Sequence, residues 1–359
     1  MRARLVPTLV ALTLGTLAVG GTTLGASADV APGASTPSYD AGPITIDPDA
    51  PQGAAPGIVW ADGTTIHLED GTSFVLPDDG FDTVIDVAAI GDRVAVTRHD
   101  SSVAAWAPRL SIFDRSGTQL GWTGLGRASD GNLVADDAHE RVAVLQRGQV
   151  AVIEAGRPTW TRLDLPAADP VGDTRRIGAV TGTSCAEGDC RVYVSNGDVS
   201  HRLSPGQAPR WMWTPQILVD ARETAGNDQL LGLVYRDEEV EPEKLWWGIT
   251  DEDNADVWGQ QDYGVLSFSP DGSLVLGDDA YRDGAGSGTL AFLDSATGEP
   301  VTEFEPADGW WVADTAWEDD DHVLAQLTDA ADTLVTVRVG TDGTVEHVHT
   351  GSWEVILGS

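Results

Sequence analysis

The chain has 359 residues, 41% of them hydrophobic, with 41 Gly, 19 Pro, 13 Trp, and 57 acidic residues against 21 basic ones. Apolar residues recur in short blocks along its whole length and supply the burial that a disordered acidic tail lacks. A formal charge of −36 with no basic stripe repels a polyphosphate, which excludes nucleic acid as a partner.

The first residues read as an export signal. Arg2 and Arg4 precede an apolar stretch from Leu5 to Leu24, and Ala26-Ser27-Ala28 has the small-x-small form of a cleavage site. Cleavage after Ala28 and a secreted, extracellular product are expected. Pro7 and Gly20-Gly21 interrupt the apolar run, and no later run is long enough for a transmembrane segment. Residues 29–57 are Pro, Gly, Ala, Ser and Asp with few large apolar groups, and they read as a flexible linker.

From Ile58 to residue 359 the pattern is all-β. Blocks of four to seven apolar residues, rich in Val, Leu, Ile and Trp, are punctuated by Asp-Gly, Asn-Gly and Ser-Gly turns, and no helical period persists. Turn residues suited to positive φ recur at Gly71, Gly117, Gly156, Gly206, Asn254, Gly298 and Gly343, 39 to 50 residues apart. That period in an all-β chain predicts a seven-bladed β-propeller, with six or eight blades as the neighbouring solutions.

The two ends account for each other. The first blade has three strands of its own, Ile58 to Ala61, Thr65 to Leu68 and Ser73 to Leu76, and the chain ends in an unpartnered strand, Trp353 to Leu357. Docking the C-terminal strand as the inner strand of the first blade closes the ring and removes an open edge. Cys185 and Cys190, four residues between them, read as one disulfide across a tight turn in an exported protein.

A large aromatic follows most third-strand turns: Trp122, Trp160, Trp211, Trp258 and Phe304. These are expected as packing anchors between blades. The run Phe113-Asp114-Arg115-Ser116-Gly117 leading to Trp122, and Leu293-Asp294-Ser295-Ala296-Thr297-Gly298 leading to Phe304, resemble quinoprotein-like (PQQ-type) propeller repeats. Ser269-Pro270-Asp271-Gly272-Ser273 is equally similar to turns of WD-repeat-like and TolB-type propellers. The resemblance implies a propeller. Quinoprotein dehydrogenases carry adjacent cysteines and a calcium-binding acidic constellation, from which this chain departs, so no catalytic residue and no cofactor is carried over.

Catalytic and metal signals are sparse. Gly284-Ala285-Gly286-Ser287-Gly288 has no helix behind it to bind phosphate and reads as a flexible hairpin tip. His347 and His349, two apart, are expected on one side of a strand, too few for a zinc site. The acidic runs Asp251-Glu252-Asp253-Asn254 and Glu318-Asp319-Asp320-Asp321 lack the spacing of a calcium loop and read as solvated turns, as do Glu238, Glu239, Glu241 and Glu243.

The second-to-third-strand connections and the inter-blade connections emerge on one face. That face collects His99, Trp106, Arg109, Arg175, Arg176, Tyr281, Arg282, Trp310 and Trp311, of the residue types that carry contact energy at interfaces. The sequence therefore predicts a monomeric, secreted, non-enzymatic binding or scaffold propeller for a protein or carbohydrate partner. The alternative is an extracellular propeller enzyme, a lactonase, glycan hydrolase or cofactor-dependent dehydrogenase. Its carboxylates would be Asp86, Asp220 and Asp314 in the central channel.

Overall fold

The computed structural model describes residues 42–358 apart from 104–105, 128, 166–174, 197–198, 213–214, 225–226, 237–244, 254, 281–285 and 352–354. The expected signal, residues 1–28, lies outside the described residues. Every described element is a strand.

After a short first strand, β1 (Ile44–Ile46), the chain lays down blades in sequence order. Blade 1 begins with β2 (Trp60–Asp62), β3 (Thr65–His67) and β4 (Ser73–Val75). Blade 2 is β5 (Thr83–Ile90), β6 (Arg93–His99), β7 (Arg109–Asp114) and β8 (Gln119–Gly124). Blade 3 is β9 (Leu133–Ala135), β10 (Arg141–Gln146), β11 (Gln149–Glu154) and β12 (Thr161–Asp164). Blade 4 is β13 (Arg175–Ser184), β14 (Asp189–Asn196), β15 (Val199–Leu203) and β16 (Arg210–Met212). Blade 5 is β17 (Ile217–Arg222), β18 (Gln229–Arg236), β19 (Leu245–Asp251) and β20 (Asp256–Gln260). Blade 6 is β21 (Tyr263–Phe268), β22 (Leu274–Asp279), β23 (Leu290–Asp294) and β24 (Pro300–Pro306). Blade 7 is β25 (Trp310–Trp317), β26 (His322–Asp329), β27 (Leu334–Gly340) and β28 (Val345–Gly351). The last strand, β29 (Val355–Leu357), then joins blade 1 in the order β29-β2-β3-β4.

The chain is thus a seven-bladed propeller, and its C-terminal strand completes the first blade. Trp60 faces Leu357, Ala61 faces Ile356 and Asp62 faces Val355 in antiparallel register. Leu357 packs on Leu324 and Val348 of blade 7, while Gln326 of blade 7 donates to the Val355 carbonyl at 3.1 Å. All six described glycines of the predicted turn series have positive φ, from 68° at Gly156 to 85° at Gly343. Asn254, the seventh, lies outside the described residues.

The hydrophobic core is divided into slabs between neighbouring blades. Val87, Val94, Val96 and Phe113 of blade 2 meet Ile66 and Phe74 of blade 1, and Phe292 and Phe304 of blade 6 meet Val323, Val337 and Val339 of blade 7. Alternation along each strand sends successive side chains into the slabs on either side, so nearly every inner position is apolar. Polar contacts reinforce the seams. The indole N–H of buried Trp258 donates to the Ser295 carbonyl of blade 6 at 2.8 Å, and Glu154 of blade 3 accepts the Cys185 and Ala186 amides of blade 4 at 3.0 and 2.9 Å. The Cys185–Cys190 disulfide is formed and closes the β13–β14 hairpin that Glu154 caps.

Several expectations are corrected. The stretch read as linker through residue 57 is built into the fold from β1 onward. β1 pairs in parallel with β24, Ile44 with Phe304 and Ile46 with Pro306, and Ile46 is fully buried. Downstream, Gln52 bridges to His347, the Ala55 carbonyl accepts from Arg338 at 3.2 Å, and the Gly57 amide meets Glu318. The strap carries few apolar residues because it follows polar strand edges. Trp122 and Trp211 are 64% and 48% exposed, so they do not anchor blades as Trp258 and Phe304 do. Ser287, read as part of a flexible tip, is buried and exchanges two backbone hydrogen bonds of 2.9 Å with Val312 of blade 7.

Deleting residues 355–359 is expected to strip blade 1 of its inner strand. The lost burial of Val355 and Leu357 alone is worth roughly 3–6 kcal/mol. Thermal unfolding followed by circular dichroism checks this, and an unchanged midpoint would show that the ring does not depend on β29.

Candidate functional site

Two places were predicted to carry function, the channel carboxylates and the loop face. Asp86 and Asp220 sit just past a register shift in inner strands β5 and β17, between Val84 and Asp86 and between Leu218 and Asp220. The bulge turns each carboxyl along the sheet instead of across it. Asp86 accepts the amides of Val87 and of Leu133 in blade 3, both at 2.7 Å. Asp220 does the same with Ala221 at 2.7 Å and Phe268 of blade 6 at 2.8 Å. Each carboxyl is therefore a clasp from one inner strand to the next. Asp314 takes the Thr315 amide at 2.9 Å and is exposed.

Burial pushes both Asp86 and Asp220 up to about 7, against the opposing pull of their amide donors. The negative charge of Asp314 adds to the rise at Asp86 and that of Asp137 to the rise at Asp220.

On the loop face, blade 2 gathers three of the predicted residues. The His99 ring lies against Trp106 with centroids 4.6 Å apart, and the Trp106 indole donates to the Ser129 carbonyl at 2.7 Å. Trp106 is 40% exposed. Arg109, only 8% exposed, pairs with Asp79 and stacks over Phe81 at 3.9 Å, with Trp122 at 5.5 Å. Arg98, opposite Arg109 on β6, is fully buried. It reaches the two Asp79 oxygens at 3.2 and 3.3 Å and the Pro77 and Phe81 carbonyls at 3.3 and 3.2 Å. One carboxylate thus serves two guanidinium groups, leaving net positive charge on a strongly acidic protein. Burial pushes the Asp79 carboxyl up, but the Arg109 hydrogen bond and both Arg charges hold it below its ordinary value. Beside it opens a shallow groove of about 400 Å³ lined by Asp79, Arg109, Gln119, Leu120, Gly121 and Trp122.

Arg176, Trp310 and Trp311 lie on other blades. Arg176 is exposed at the start of β13, where its charge lowers Asp130 against a larger upward push from burial. Arg175 is half-buried beside it on the same strand. Trp310 packs on the core slab between blades 6 and 7, and Trp311 lies against Gly286. Tyr281 and Arg282 lie outside the described residues.

Arg98, Asp79 and Phe81 escaped the sequence reading because no local pattern distinguishes a buried Arg from an exposed one. The acidic turns also differ from expectation. Glu252 is buried and held by Arg202 with both oxygens at 2.9 Å, within a network in which the Tyr193 hydroxyl meets Glu252 and, at 2.6 Å, Asp228. Arg191 stands 3.2 Å from Asp228. Glu318, also expected in solvent, is clamped by Arg338 with its side chain 7% exposed. Glu238, Glu239, Glu241 and Glu243 lie outside the described residues. His347 and His349 do not share a side as expected, because Val348 forms a bulge between them. His347 meets Gln52 and Thr350, each at 2.9 Å, whereas His349 tilts against Trp60 and approaches Asp62 at 3.7 Å.

No family model matches the sequence. No curated protein matches it either. Similar solved structures include the dihydro-heme d1 dehydrogenase NirN, at 13% identity and TM-score 0.48, over 85% of this chain and 75% of that one. Hsv2 of Kluyveromyces lactis is 11% identical at TM-score 0.47, over 82% and 94% of the two chains. The C-terminal WD40 domain of Sif2 is 11% identical at TM-score 0.45, over 73% and 71%. The propeller assignment itself rests on this chain's own blade order and ring closure.

A folded value near 7 against an ordinary 3.8 means that the folded chain takes up protons between those limits. Asp86 and Asp220 therefore contribute more stability as pH falls toward 4 and lose that contribution as pH rises through 7. Asp86→Asn places an NH2 against a backbone donor and is expected to cost about 1–3 kcal/mol. In urea titrations the gap between parent and variant should widen from about pH 7.5 to about pH 4.5; a gap independent of pH would contradict the proton uptake.

Proposed function

We propose that this chain is an exported, non-enzymatic binding propeller that engages a protein or carbohydrate partner through the loop face and rim of blade 2. The observation that carries the reading is where apolar surface stays open. Large apolar side chains exposed among the described residues are Val75, Val103, Trp106, Leu120, Trp122, Trp211, Trp246, Val257 and Val301, and four of these nine belong to blade 2. Leu120 and Trp122 line the groove beside Asp79, which two Arg share. Exposed aromatics beside a desolvated Arg supply both contact area and a directional charged group.

The alternative enzyme reading loses its main support, because Asp86 and Asp220 spend both oxygens on backbone amides. Export is supported by the Arg2, Arg4 and Ala26-Ser27-Ala28 pattern together with a disulfide in a chain with no other cysteine. A charge of −36 keeps the body soluble and turns away anionic polymers, so the Arg98–Arg109 spot stands out as the place for an acidic or hydroxyl-rich group.

Sequencing the amino terminus of material collected outside the producing cell is expected to give Asp29 first; retention of residues 1–28 would remove the export reading. Cross-linking the mature chain to intact cells and their medium identifies what it holds. Trp106→Ala is expected to reduce that capture about tenfold or more while leaving the melting temperature within a few degrees. Capture equal to that of the parent would remove the loop face from the proposal.

A further inference from the structure

The outer strands differ in how they are finished. β24 and β28, with seven residues each, are the longest, and the N-terminal strap covers both. β1 pairs along β24, and at β28 the Gly53 amide donates to His347 at 2.8 Å while the His347 amide donates to Pro51 at 2.9 Å. β8, with six residues, is next in length and has no partner strand on its outer side among the described residues. Its sequence, Gln-Leu-Gly-Trp-Thr-Gly, carries neither charge nor Pro, whereas β12, β16 and β20 each carry Arg or Asp and β4 has only three residues. Open edges are normally blunted by charge, Pro or shortness. An uncharged, open edge on a chain of charge −36 breaks that rule.

Its side chains and backbone are both presented. Leu120, at a bulge in the β7–β8 register, and Trp122 are 52% and 64% exposed and both line the groove that ends at Arg109. The Leu125 amide bonds to Pro108, so by antiparallel alternation Trp122 turns its N–H and C=O groups to the open edge, while the Gly124 carbonyl accepts from Gln146 of blade 3 at 3.5 Å. The strand that this chain itself adds to the equivalent edge of blade 6 runs parallel and reads Ile44-Thr45-Ile46-Asp47, two apolar residues two apart and then an acid. Laid along β8 in the same direction, such a segment sets its apolar pair beside Leu120 and Trp122 and carries its acid toward Arg109, whose strand position faces Gly124 at the end of β8.

We propose that β8 receives, by parallel strand addition, an extended partner segment of the pattern apolar-x-apolar-acidic. This deepens the binding reading of blade 2 and rests on it, and it selects a polypeptide partner over a carbohydrate. Backbone pairing supplies affinity, and the Leu120–Trp122 groove with its Arg109 end supplies selection.

The probe is a labelled, end-capped peptide of residues 42–50, Gly-Pro-Ile-Thr-Ile-Asp-Pro-Asp-Ala, titrated against the full secreted chain by fluorescence anisotropy. Saturable binding is expected, at least about tenfold weaker to Leu120→Glu and to Trp122→Ala, whose melting should match the parent because both side chains are exposed. Asp47→Asn in the peptide should weaken binding and flatten its salt dependence. No binding beyond that of a scrambled peptide overturns the proposal. Equal binding by parent and both variants also overturns it, since the peptide would then be exchanging with β1 on blade 6. A dimer seen in sedimentation and dissolved by Leu120→Glu would make a second copy the occupant and overturn the assignment to a separate partner. Capture by Trp106→Ala reads the loop face and peptide binding by Leu120→Glu reads the strand edge, so failure of the one and failure of the other are distinguished.

Discussion

Unpaired backbone at strand edges is the constraint on which this molecule depends. A ring of sheets has no inner edge to leave open only if its two chain ends meet, and here three residues, Val355 to Leu357, perform that closure against β2. So short a pairing is held in place by what packs on it. Leu357 enters the slab shared with blade 7, and Gln326 fixes the Val355 carbonyl from the same side. The strap from Ile44 to Gly57 adds a second clasp across the outer strands of blades 6 and 7 before the chain enters blade 1.

Between blades, apolar slabs provide most of the stabilisation, but they are non-directional and fix the rotation of one blade against the next only loosely. Directional contacts supply the angle. Asp86 and Asp220 reach the next inner strand, Glu154 caps the next blade's disulfide hairpin, and Trp258 finds the Ser295 carbonyl. Each is a hydrogen bond to backbone, whose position hardly varies, and so tolerates differing side chains around it. This explains why the repeats are recognisable by their turns more than by their residues.

The heavy acidic excess is handled unevenly. Most described carboxylates lie in solvent, but a minority are withdrawn from it and matched with Arg, as in Glu252 with Arg202 between blades 5 and 4 and Glu318 with Arg338 within blade 7. With only 21 basic residues in the chain, two are placed on Asp79. Blade 2 also leaves its outer edge uncharged. Both departures fall on the same blade, and the binding role proposed for it accounts for the two together.

The blade number, the order of strands and the closing strand were legible in the sequence because they follow from local chemistry: positive-φ glycines at a fixed period, alternating apolar blocks, and an orphan strand at each end. The disulfide followed from the spacing of Cys185 and Cys190. Of the site, His99, Trp106 and Arg109 were legible by residue type and loop position, but Arg98, Asp79 and Phe81 were not, since they come together only when blade 1's exit loop folds over blade 2. The bulges that turn Asp86 and Asp220 into clasps, the bulge that parts His347 from His349, and the burial of Glu252 and Glu318 depend on how neighbouring strands slide past one another. Such choices are set by contacts between blades some 40 to 50 residues apart, a distance at which a local pattern carries no information. The sequence by itself therefore determined the repeated unit and its count, while only the tertiary structure decided which polar side chains face water, because desolvation is a property of the assembled seam and not of any segment that enters it.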